Sequence, residues 1–149
     1  KLTLSYPAEA AELLMLQTYQ KQNPEVSAIL QPKYIERLQV LVDHIFVHTE
    51  VLQYIVKLAR ATRNDPRVAL GVSPRASLIL VRLAKARALI KGRSFVTPDD
   101  IQVLVHYTFS HRIRLSPEAD FEQIDVQEIL KDILQQVLYH GPTLPHASI

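Results

Sequence analysis

Apolar residues recur at three- and four-residue spacing through most of this chain, the signature of amphipathic helices. After Pro7, Leu13, Leu16 and Tyr19 share one side of a first predicted helix, which Asn23-Pro24 breaks. A second begins with Pro32 at its first position and carries Ile35, Leu38, Val42 and Ile45. A third, from about Glu50 to Thr62, turns Leu52, Ile55, Ala59 and Thr62 inward and closes at Arg63-Asn64-Asp65-Pro66. The fourth has Ser73 as N-cap, Pro74 at its first position, and Ala76, Ile79, Leu83, Ala86 and Ile90 as its buried stripe, and Gly92 stops it after Lys91. Thr97-Pro98-Asp99-Asp100 opens a fifth, with Ile101, Leu104, Val105 and Thr108 inward. Ser116 to Ile124 reads as a polar loop, and Asp125 and Glu128 start a last helix reaching about Tyr139 with Val126, Ile129, Ile133 and Val137 inward.

Two β-branched and aromatic triplets, Ile45-Phe46-Val47 and Ser94-Phe95-Val96, read as very short extended pieces. Leu2 and Leu4 alternate like a strand that ends at Tyr6-Pro7. A lone strand cannot satisfy its own backbone, so this segment is expected to pair with something else. The pattern predicts an all-α bundle of about six helices, with two very short extended segments and one leftover N-terminal strand. It divides the chain into residues 1–6 as strand and hinge, 7–139 as the helical domain and 140–149 as a frayed tail.

Composition narrows the chemistry. With 149 residues the chain is long enough to fold around a core without staples, and it has no cysteine for disulfides, thiolate zinc sites or cysteine nucleophiles. Its three glycines, Gly71, Gly92 and Gly141, are too far apart to form either of the glycine-rich phosphate loops. A net charge of +2 is weak support for a nucleic-acid partner, and no stretch reads as a membrane span or a signal peptide.

One residue stands against the electrostatics of its position. The first turn of a helix favours anions, as Asp99 and Asp100 illustrate, yet the fourth helix starts with Ser73-Pro74-Arg75. A cation there costs a few tenths to ~1 kcal/mol unless an anion offsets it. Either Arg75 is solvated or paired with a carboxylate such as Asp65, or it waits with the helix end for an anionic ligand, for which phosphate matches the guanidinium fork.

The motifs around Arg75 resemble a known family. Gly71-Val72-Ser73-Pro74-Arg75-Ala76, then Gly92-Arg93-Ser94-Phe95-Val96-Thr97-Pro98-Asp99-Asp100, then Ser110-His111-Arg112-Ile113, are similar to the C-terminal lid of MoxR-type AAA+ ATPases. The resemblance covers roughly residues 1–139, is strongest from Gly71 to Arg112, and departs from the usual wording at Val72, where alanine is commoner. It implies that Arg75 is the sensor-2 arginine reaching the γ-phosphate, and that Tyr6, Pro7, Gly71 and Val72 lie near the nucleotide at the hinge between core and lid. It also implies ATP with Mg²⁺ as cofactor, held mainly by an AAA+ core that precedes this segment, so the segment is not expected to turn over ATP alone. A hexameric ring, chaperone-like action in the cytoplasm and von Willebrand A-type partners follow from the same resemblance. The competing reading is an independent helical module binding nucleic acid or protein.

Other polar groups have ordinary explanations. His44 and His48 are four apart beside Asp43 but lack the glutamate of a zinc-protease helix. His111-Arg112 reads as a basic helix end binding carbonyls, and Arg82, Lys85, Arg87 and Lys91 as solvated side chains of the fourth helix. Tyr19, Tyr34, Tyr54, Tyr107 and Phe109 read as core or rim packing.

Overall fold

The fourth and fifth predicted helices form the axis of the structure, a computed structural model describing residues 2, 4–20 and 26–141. In chain order it contains α1 (Glu9–Tyr19), α2 (Pro32–Asp43), α3 (Thr49–Asn64), β1 (Val68–Leu70), α4 (Pro74–Ile90), α5 (Pro98–Phe109), β2 (Arg114–Leu115), α6 (Pro117–Phe121) and α7 (Val126–Gln136). A 3₁₀ turn, Ser110–Arg112, follows α5. The predicted breaks at Asn23-Pro24 and most of the tail from 140 onward lie outside the described residues.

Helices α3, α4, α5 and α7 enclose the core. Ile55 and Leu58 from α3, Leu80 from α4, Ile101, Val105 and Phe109 from α5, and Ile129, Leu130 and Ile133 from α7 are its main side chains, each at most 2% exposed. Burial of such aliphatic and aromatic groups is the main term favouring the fold. Helix α4 packs on α5 and also meets α2 and α3.

The predicted stripe of α4 is rotated. Ala76, Leu80, Ala84 and Ala88 are its buried residues, whereas Leu83 is 41% and Ile90 83% exposed. Alanines at the contact let helix axes approach closely, and the bulkier residues then fall to the flanks. On α3, Leu52 is likewise outside the core and Val51, Tyr54 and Leu58 replace it. Ser116 to Ile124 is not all loop: Ser116 Oγ accepts from Ala119 N at 3.2 Å and caps α6.

The two extended triplets pair with each other. Phe46 and Phe95 form a parallel bridge, with Phe46 N donating to Ser94 O at 2.9 Å and Val96 N to Phe46 O at 3.0 Å. This bridge ties the α2–α3 junction to the α4–α5 junction. Strands β1 and β2 form a second, antiparallel pair, Val68 opposite Leu115 and Leu70 opposite Arg114. Leu2, Leu4 and Ser5 belong to no strand and are exposed. Helix α1 buries none of its residues.

Gly92 is needed where it stands. Its φ is +71°, and the α4 end closes with Gly92 N on Leu89 O at 2.9 Å and Arg93 N on Ala88 O at 2.9 Å. This is the left-handed helix termination that glycine accepts at little cost.

Candidate functional site

Arg75 occupies the first turn of α4, two residues after the N-cap Ser73, and is exposed. Among the described residues it makes no ion pair and no hydrogen bond through its guanidinium. The Ser73 side chain makes no capping bond and the first turn holds no acid. The helix start therefore supplies no anion to offset this cation.

Asp65, the acid nearest in sequence to that role, is committed elsewhere. Arg67 Nε and Nη2 donate to its two carboxylate oxygens at 3.0 and 2.8 Å, and Arg67 Nη1 donates to Asp132 at 2.8 Å. Hydrogen bonding by Arg67, opposed in part by burial, holds the Asp65 carboxyl below its ordinary 3.8. The same bonds push the Arg67 guanidinium up. A cavity of about 380 Å³ beside this cluster is lined by Asn64, Asp65, Arg67, Ile133 and Gln136. Its one cation is saturated by two carboxylates, so it presents no net positive charge to an anion.

The start of α5 is built oppositely. Asp100, 2% exposed, accepts from Thr97 N at 2.9 Å and Thr97 Oγ1 at 3.0 Å. Arg93 donates through Nη2 and Nη1 at 2.7 and 2.9 Å, and Arg87 Nε at 3.1 Å. Burial by itself would raise the Asp100 carboxyl. The bonds from Arg93 and Thr97, with the Arg93 charge, outweigh it and hold the carboxyl below 3.8. Arg93 Nη1 also donates to Phe95 O at 3.0 Å. The second sequence block thus has an internal structural use.

The turn leading to Arg75 is fastened to the end of α3. Thr62 Oγ1 accepts from Val72 N at 3.1 Å and donates to Ala59 O at 2.7 Å, while Arg63 Nε donates to Val72 O at 2.9 Å. A Cβ on Gly71 would stand 2.7 Å from Thr62 O and 2.8 Å from Arg63 Cα, so glycine permits this approach of two backbones. Val72 is fully buried. Its N–H, carbonyl and side chain all serve the scaffold, whereas Ser73, Pro74 and Arg75 after it are exposed, and Arg75 is the one cation among them. Tyr6, 99% exposed, and Pro7, also exposed, stand just ahead of α1.

Of the four α4 cations read as solvated, two are structural ties. Lys85 Nζ donates to Asp43 O at 2.9 Å, where the negative end of α2 favours a cation, and Arg87 reaches Asp100. Arg112 Nε donates to His111 Nε2 at 3.1 Å rather than to a helix-end carbonyl. His44 Nδ1 lies 2.9 Å from Val40 O, and His48 Nδ1 contacts Glu50. No group of three or more potential metal ligands occurs among the described residues.

Comparison with known proteins meets this geometry at the same segment. The family described as "AAA lid domain" matches residues 60–133, a span that runs from the end of α3 through Arg75 and Asp100 into α7. The chaperone MoxR1 of Mycobacterium tuberculosis is 31% identical over 146 residues, covering 92% of this chain and 39% of that protein. The chain is an AAA+ lid domain of the MoxR family. An uncharacterized Bacillus subtilis protein, YeaC, is 37% identical over 139 residues, covering 92% of the lid chain and 43% of that protein. The lid also superposes on a crystal structure from Cytophaga hutchinsonii, of a protein assigned as an ATPase, with a TM-score of 0.84 and 26% identity. That match covers 93% of the lid chain and 45% of the other. The lid chain therefore spans about two fifths of the length of these relatives.

Sequence reasoning missed Thr62 and Arg63. Thr62 carried a signal, since a hydroxyl on an inward face must find a buried partner. Arg63 carried none, because its partner is a backbone carbonyl nine residues away.

Proposed function

We propose that the lid works as the nucleotide-sensing part of a MoxR-type AAA+ ATPase, with Arg75 reaching the γ-phosphate of ATP held with Mg²⁺ by an AAA+ core. The observation that carries this reading is the state of Arg75: an exposed guanidinium at the positive end of a 17-residue helix, with no carboxylate beside it, while Asp65 is saturated by Arg67. A triphosphate would supply the missing anion, and the planar donor fork suits its oxygens. Positioning and charge stabilisation carry most of the catalysis of phosphoryl transfer, and an arginine clamp contributes to both.

Coupling follows from rigidity. The Asp100 cluster and the Phe46–Phe95 bridge lock α4 to α5 and to the α2–α3 junction, so a force on Arg75 rotates several helices together. Such a movement suits a ring, here a hexamer, that remodels partner proteins, von Willebrand A-type proteins among them, in the cytoplasm. Tyr6, Pro7, Gly71 and Val72 belong to the hinge in this reading, Gly71 and Val72 by fixing the turn rather than by touching nucleotide. None of the described helices is long and apolar enough to cross a membrane.

The test is steady-state ATP turnover by the full ATPase carrying Arg75→Ala. Loss of an arginine that stabilises the transferring phosphate lowers kcat by at least ~10²-fold. Turnover equal to the parent's would refute the assignment.

A further inference from the structure

The segment from Gly71 to Ser73 belongs to neither β1 nor α4, yet it sets the direction in which α4 begins. Ser73, Pro74 and Arg75 are all exposed, so their own side chains do not fix that direction. The buried residues on either side of them, Val72 before and Ala76 after, do, and Val72 is the one held by hydrogen bonds with another helix. The Val72 N–H is held by Thr62 Oγ1 at 3.1 Å, its carbonyl by Arg63 Nε at 2.9 Å, and its side chain is fully buried. Gly71 lets the two backbones close to a distance that a Cβ would forbid.

From this geometry we infer that Thr62 and Arg63 are positioning residues for the Arg75 guanidinium. The inference rests on the phosphate-sensing role proposed for Arg75. Thr62 is fully buried and Arg63 holds the Val72 carbonyl through its Nε, so each bears on Arg75 through the turn. With both bonds made, Val72 cannot rotate about its own backbone, and Arg75 is presented three residues later from a fixed origin. A displacement of about 1 Å at a group engaging a reacting phosphate is enough to cost up to ~10²-fold in rate.

The experiment is a pair of double-mutant cycles on ATP turnover by the full ATPase. Thr62→Val keeps the shape of the side chain and removes the hydroxyl; Thr62→Ser keeps the hydroxyl; Arg63→Ala removes the bond to the Val72 carbonyl. The expected result is a fall in kcat of about tenfold for Thr62→Val and for Arg63→Ala, with Thr62→Ser near the parent. In an Arg75→Ala background each substitution should lower kcat by less than about twofold further, because the group they orient is gone. Losses that multiply with that of Arg75→Ala would mean a role separate from Arg75 and would overturn the inference. So would parental kcat in Arg63→Ala when Arg75→Ala is impaired, a result that leaves the Arg75 reading standing. Arg63 is exposed, so its alanine variant decides the matter even if Thr62→Val does not fold. Parental turnover in Arg75→Ala itself would remove both readings together.

Discussion

Arg75 and Arg87 sit on the same helix in opposite circumstances, and their substitutions should separate cleanly. Arg75 contributes nothing visible to the fold, so Arg75→Ala is expected to leave thermal stability within ~0.5 kcal/mol of the parent. Asp100, which Arg87 and Arg93 meet, is the opposite case. Asp100→Asn leaves two guanidiniums short of their charge and should cost about 3 kcal/mol, measured by urea unfolding at neutral pH. Its folded carboxyl lies below the ordinary 3.8, so the stability it supplies is present above that value and fades as the pH falls through the depressed folded value. Acid titration of stability should therefore be shallower in Asp100→Asn. Gly71→Ala forces a Cβ against Thr62 O and Arg63 Cα and should cost about 1–3 kcal/mol in a thermal melt. The pattern Thr97-Pro98-Asp99-Asp100 announced the α5 cap, because a capping acid speaks to donors within one turn. That two arginines from α4 and its closing turn converge on the same carboxylate was not legible, since those contacts depend on how α4 sits against α5.

At the scale of elements, the sequence marks where helices begin and end better than which face they bury. Pro32, Pro74 and Pro98 stand at the first positions of α2, α4 and α5, and Gly92 closes α4, because these residues act on their own backbone. The α4 stripe was misplaced because weighting by hydrophobicity favours Ile79, Leu83 and Ile90, whereas close packing favours Ala84 and Ala88. Ala84→Leu should accordingly destabilise the domain by about 1–3 kcal/mol, and Ile90→Ala, at an 83% exposed position, by under ~0.5 kcal/mol. Helix α6 escaped notice because five residues with one buried side chain, Ala119, show no periodicity. Strands β1 and β2 are shorter still and exist through pairing with each other.

For the whole molecule, the distribution of apolar surface is uneven. The core side of α3, α4, α5 and α7 is closed, while Leu13, Leu14, Met15 and Leu16 on α1 are each 49–63% exposed. A run of this kind favours association, so the isolated chain should self-associate as its concentration rises in light scattering; a monomer throughout would contradict that. The same surface is available to the AAA+ core proposed to complete the ATPase. The fold class was legible as a whole because helical periodicity persists through the chain. The site was legible only at Arg75, where one charge opposes its helix; the residues that aim it had to be seen in three dimensions. The direct measurement is the affinity of the full ATPase for ATP and for ADP, with and without Arg75→Ala, by calorimetry. If the guanidinium reads the γ-phosphate, the variant loses affinity for ATP and keeps that for ADP. An unchanged ratio of the two affinities would contradict the account.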